Sequence, residues 1–93
     1  MKKYAVSFSS TAECQLYEWK ASGQVAVLKK IKSLLAELEV HPTTGTGKPE
    51  QLRGNLQGCW SRRITKKDRM VYKIIDNEIC VNIFSVKGHY SDK

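Results

Sequence analysis

Cysteine is scarce in this chain: only Cys14, Cys59 and Cys80 occur, and no two stand at CxxC spacing. An odd count without that spacing indicates neither a disulfide framework nor a zinc module, so a reducing cytoplasm fits. Long apolar runs are missing too. After Met1-Lys2-Lys3 only the short alternating run Tyr4 to Phe8 precedes Ser9 and Ser10, and no stretch approaches the ~18 apolar residues of a membrane span. Neither a signal peptide nor a membrane partner is expected. There are two prolines, Pro42 and Pro49, so helix-breaking is confined to one segment. Acidic residues are the remaining shortage, nine against sixteen basic ones, for a net charge of +7.

That positive excess is concentrated. Residues 1–41 carry six basic and four acidic side chains, residues 48–69 seven and two, and residues 70–93 three of each. A polyanion docking on the 48–69 stretch gains Coulomb energy and releases counterions, which makes nucleic acid the leading partner class. The plainer alternatives are a solvated face that keeps the protein soluble, or a face covered by an acidic protein. With 93 residues, 41% hydrophobic and 27% charged, the chain is expected to form one domain, 1–93, around one modest core.

Tyr4, Val6 and Phe8 alternate with polar or small neighbours as a half-buried strand does. Ser10 followed by Glu13 is a capping-box signature, so a helix is expected from there to Gly23. Val25, Leu28, Ile31, Leu34, Leu35 and Leu38 recur at helical spacing and predict a second helix, ending near His41 because Pro42 follows. Pro42 to Gly58, with Gly45, Gly47, Gly54 and Gly58, reads as an irregular loop. Cys59–Ile64, Arg69–Ile75 and Ile79–Val86 read as three successive antiparallel strands. The order β-α-α-β-β-β gives an α+β class, two N-terminal helices packed on an antiparallel-rich twisted sheet.

RNA can be cleaved without a metal if its 2′-hydroxyl attacks phosphorus in line. One group removes that proton, another protonates the leaving 5′-oxygen, and cations stabilise the charge on phosphorus. Glu50 is a candidate base, His89 a candidate acid or base, and Arg63 and Arg69 candidate charge stabilisers. Carboxylates and imidazoles, ordinarily near ~4.3 and ~6.5, can both be tuned to trade protons near neutrality. Matching apolar faces pairs Trp60 with Tyr72 and Arg62 with Met70, which sets Arg63 opposite Arg69 across a three-residue loop. Like charges so placed are unfavourable unless an anion sits between them. Taken singly, each residue also has a bland reading: Glu50 as a surface charge, His89 as a solvated histidine near the C-terminus, Trp60 and Tyr72 as core aromatics.

Jointly, Gly47-Lys48-Pro49-Glu50, Leu52-Arg53-Gly54-Asn55-Leu56, Trp60-Ser61-Arg62-Arg63-Ile64, Arg69-Met70-Val71-Tyr72 and Gly88-His89-Tyr90 closely resemble the YoeB (Txe/YoeB) toxins of the RelE/ParE superfamily. The resemblance implies a toxin of a type II toxin–antitoxin module, acting as a ribosome-dependent endoribonuclease on messenger RNA in the A site of the 70S ribosome. It implies Glu50 as base, Arg69 as phosphate stabiliser and His89 as the proton donor to the leaving oxygen. Lys48, Arg53, Arg62 and Arg63 fall at basic positions expected to bind RNA or stabilise phosphate, and Tyr90 at the terminal tyrosine beside the site. No metal or other cofactor is implied. The expected partners are a YefM-like antitoxin whose C-terminal segment covers the cleft, the ribosome with its mRNA, and a second copy, since several family members are homodimers. Gln51, Cys59 and Asp68 depart from the family's usual residues, and Ser91-Asp92-Lys93 extend beyond its usual terminal tyrosine. Two other classes stay open: a non-enzymatic inhibitor like the gyrase-poisoning branch of the superfamily, and a plain RNA-binding module.

Overall fold

A computed structural model, which describes residues 3–88, turns the alternation around Tyr4, Val6 and Phe8 into strand β1 (Ala5–Phe8). Helix α1 (Ser10–Ser22) follows at once. Its N-cap is Ser9, not Ser10: the Ser9 hydroxyl accepts the Ala12 N–H at 3.0 Å and donates to the Phe84 carbonyl at 2.8 Å. This corrects the capping box expected at Ser10 and Glu13, because a tertiary bond to a distant strand selects which serine caps. Gly23, at φ 73°, closes the helix in the left-handed region. Helix α2 (Val25–Val40) buries Ile31, Leu34 and Leu38 and stops at His41, ahead of Pro42.

Strand β2 (Glu50–Gln51) lies inside the segment expected to be wholly irregular, and a 3-10 turn (Gly54–Leu56) follows it. A two-residue strand has no periodicity to detect, and only its pairing with a neighbour defines it. The remaining strands are β3 (Cys59–Arg63), β4 (Arg69–Ile75) and β5 (Cys80–Ser85), with a short 3-10 turn between the last two. The sheet order is β1-β5-β4-β3-β2. All neighbours are antiparallel except β1 and β5, which run parallel. The fold is therefore α+β, with a mixed five-stranded sheet.

Both helices cover one face of this sheet. Trp19, Ile31, Leu34 and Leu38 meet Met70, Tyr72, Val81 and Ile83 in the main core. Each fully buried aliphatic side chain there contributes on the order of 1.5–3 kcal/mol. The opposite face carries a smaller apolar cluster, Leu52, Cys59 and Val71 with Leu56 and Phe84. A bulge shifts the β4–β5 register, so that Tyr72 pairs with Ile83 but Val71 with Ser85. The extra residue, Phe84, changes the phase of alternation and lets Val86 rejoin the helix-side core. Two bonds from α1 secure that turn: the Val86 N–H donates to Gln15 Oε1 at 2.7 Å, and the Trp19 indole donates to the Val86 carbonyl at 2.8 Å. Among the described residues, no helix is long and apolar enough to cross a membrane.

Candidate active site

Residues directly opposite in neighbouring strands place their side chains on the same face of a sheet. Glu50 pairs with Ser61, Ser61 with Val71, and Arg63 with Arg69. The open face, away from the helices, therefore carries Glu50, Arg63 and Arg69 above the Leu52–Cys59–Val71 cluster. Arg63 is a diagonal neighbour of Glu50, about 7–8 Å away between Cα atoms. Arg69 lies one strand further, roughly 12 Å from Glu50 by strand spacing and rise. The sequence-based register of β3 on β4, with Trp60 opposite Tyr72 and Arg62 opposite Met70, is the observed one.

Glu50 and Arg63 are exposed, and Arg69 is half-buried. Lys48 and Arg53 are exposed on either side of Glu50 along the chain. Lys48, at φ 52°, follows Gly47, whose carbonyl accepts the Arg63 N–H at 2.7 Å. Arg53 lines a polar cleft of about 610 Å³ with Gln51, Gly54 and Gln57. Beside Glu50, the Ser61 hydroxyl is fully buried and has no hydrogen-bond partner among the described residues.

Arg62 does not belong to this face. It is 0% exposed, and alternation turns it toward the helices, where its Nε–H donates to the Tyr72 hydroxyl at 3.1 Å. Nη1 donates to Glu37 Oε1 at 2.8 Å and to the Thr46 carbonyl at 3.2 Å; Nη2 donates to the carbonyls of His41 and Thr44. Its expected role in RNA or phosphate binding is corrected accordingly: a guanidinium with all five N–H groups bonded inside the protein has none to offer a phosphate. The signal was present in the sequence, since pairing with Met70 already assigned Arg62 to the apolar face. Nothing in the sequence pointed to Glu37 or Tyr72 as its partners.

The electrostatics of this network follow from its bonds. The Thr46 side chain, then its N–H, and then the Arg62 guanidinium hold the Glu37 carboxyl below its ordinary value, against an opposing effect of partial burial. Burial pushes the Tyr72 phenol up, opposed by Arg62, so it stays a proton donor. On the other face, burial likewise raises the Cys59 thiol, against the charge of Lys73.

At the far end of the open face stands Asp68, half-buried just ahead of β4. Its carboxylate accepts from the Thr65 hydroxyl and from the Gly88 N–H, both at 2.7 Å. The Gly88 carbonyl in turn accepts the Arg69 N–H at 3.1 Å. Both peptide groups of Gly88 are thus tied to the start of β4. His89 and Tyr90, the next residues in the chain, lie outside the described residues. No group of three or more His, Cys, Asp or Glu side chains that could hold a metal ion occurs among the described residues.

The family model described as YoeB-like toxin of bacterial type II toxin-antitoxin system matches residues 8–90. Toxin YoeB of Synechocystis sp. is 40% identical over 74 residues, covering 80% of this chain and 84% of its own. Among solved structures, a YoeB/ParE toxin from Agrobacterium tumefaciens superposes with a TM-score of 0.87 at 28% identity, over 92% of this chain and 99% of its own. The YoeB dimer from Staphylococcus aureus gives 0.80 at 35% identity, over 95% and 99%. The heterotetrameric YoeB-YefM complex from the same organism gives 0.79 at 34% with the same coverage.

Proposed function

Because the chain belongs to the YoeB-like toxins of bacterial type II toxin–antitoxin systems, we propose that it is a metal-independent endoribonuclease that cuts messenger RNA in the ribosomal A site. The observation that carries this reading is the gathering of Glu50, Arg63 and Arg69 on one open sheet face, with the peptide before His89 bonded to Arg69. RNA lies across this face with the scissile phosphate between Glu50 and the arginines. Glu50 takes the proton of the 2′-hydroxyl, whose oxygen attacks phosphorus. Arg69 and Arg63 neutralise the added charge on the phosphoryl oxygens. His89 gives a proton to the departing 5′-oxygen, leaving a 2′,3′-cyclic phosphate and a free 5′-hydroxyl. Lys48 and Arg53 hold neighbouring phosphates, and Tyr90 stacks near the cut base.

A YefM-like antitoxin is the natural inhibitor of such a face, since the S. aureus relative is held in a complex with YefM. A homodimer is the proposed free form, in line with the dimer of that relative. A reducing cytoplasm, where ribosomes and mRNA meet, is the proposed location.

Primer extension on mRNA undergoing translation tests the central claim. Wild-type protein gives defined cut sites, while Glu50→Ala and His89→Ala each lower their intensity by at least ~100-fold, the usual cost of losing a general acid or base. Full cleavage by either variant would remove that residue from the mechanism. Growth inhibition that survives both substitutions without RNA cuts would instead identify a non-enzymatic inhibitor.

A further inference from the structure

Glu50 sits on a strand only two residues long, at the edge of the sheet, and so short a pairing does little to fix a side chain. What holds the chain on either side of it matters more. On the C-terminal side the anchor is Leu52, buried, with its N–H donating to the Cys59 carbonyl at 2.9 Å. On the N-terminal side the anchor is Gly47, and the segment from His41 to Gly47 that leads to it has no regular structure of its own.

That segment is held from inside. The Arg62 guanidinium takes the carbonyls of His41, Thr44 and Thr46. The Tyr72 hydroxyl, which accepts from Arg62, donates to the Pro42 carbonyl at 2.7 Å. Glu37 Oε1 accepts from Arg62 and also from the Thr46 N–H at 2.8 Å. Three side chains thus secure four carbonyls and one N–H of a short loop that has no helix or strand to pair them. The loop is also built to fit. A Cβ on Gly45 would overlap the Glu37 carboxylate, and one on Gly47 would lie 3.0 Å from the Arg63 carbonyl oxygen.

We propose that Arg62, Glu37 and Tyr72 are positioning residues for cleavage: a clamp centred on the buried Arg62 and Tyr72 that locks the 41–47 loop and so fixes where Glu50 stands relative to Arg63 and Arg69. This rests on Glu50 being the base. The clamp lies on the helix side of the sheet and Glu50 on the other, so its three members act without touching RNA.

Tyr72→Phe and Glu37→Gln test the clamp while sparing the buried guanidinium. Tyr72→Phe deletes the bond to the Pro42 carbonyl and leaves the Arg62 Nε–H without its acceptor. Glu37→Gln keeps the shape but removes the charge. Single-turnover cleavage of mRNA on programmed ribosomes is expected to fall ~10- to 100-fold in each, the scale of an ångström-sized misplacement. Affinity for the same complex carrying a 2′-deoxynucleotide at the cut site should stay within about twofold, and its salt dependence should not change, because no phosphate contact is lost. A Glu50→Ala background gives the sharper readout: there, the clamp substitutions add no further loss. Wild-type rates in both clamp variants overturn the clamp and leave the base assignment standing. So does an equal loss with and without Glu50. A wild-type rate for Glu50→Ala alone overturns the base assignment, and the clamp's purpose with it.

Discussion

Arg62 and Arg63 are neighbours of one residue type with opposite surroundings, and strand parity alone separates them. Arg63 points to the open face, so Arg63→Ala should weaken RNA binding at every sequence and lower the slope of log affinity against log salt by about 0.7, the value for one phosphate contact on a single strand. Titrating RNA affinity against salt checks this, and Lys48→Ala should act similarly. Glu37 makes a prediction of a different kind. Its folded carboxyl lies below the ordinary value, so in the acid window between those two values the unfolded chain binds more protons than the folded one. The stability due to Glu37 is complete above the ordinary carboxylate range and is lost as pH falls through the folded value. Urea midpoints measured from neutrality down to about pH 3 should therefore drop less steeply for Glu37→Gln than for the wild type; equal slopes would show that the carboxylate's bonds do not contribute.

Among elements, the junction of α1 with β5 carries more than either serine's place in the sequence suggests. Ser9→Ala removes both the helix cap and the bond to the Phe84 carbonyl, an expected cost of about 1–2 kcal/mol. In a chain of this size that lowers Tm by roughly 5–10 °C. Ser10→Ala, at the position of the sequence signature, should change Tm little, and a pair of melting curves decides between them. The difference shows what local pattern can and cannot reveal. Helix α2, the three-strand meander and the register that faces Arg63 with Arg69 were legible because apolar residues repeat with the period of each element, and α1 was legible from the punctuation at its two ends. Strand β2, the bulge at Phe84 and the parallel pairing of β1 with β5 were not, because each depends on a partner far away in sequence. The candidate site divides along the same line: Glu50, Arg63 and Arg69 stood out as chemistry, while the part of Arg62 emerged only when loop carbonyls more than fifteen residues upstream came to meet it.

Over the whole molecule, the layering puts the main core and the Arg62 network on the helix side and Glu50, Arg63 and Arg69 on the open side. The strand order places β5, which ends at Ser85, between β1 and β4. A chain cut after Glu78 would leave β1 without a partner strand and the helices without Val81, Ile83 and Val86 beneath them. Such a fragment should show no cooperative thermal transition by circular dichroism, and a sharp melt would mean that the first two helices and the hairpin hold together without it. The same topology has a consequence for the cell. During synthesis the first strand must wait for residues 80–83 to emerge, since the two strands pair across a separation of 75 positions. Such distant pairing comes late in folding. A message cut ahead of codon 80 therefore yields a chain in which β1 has no strand to pair with.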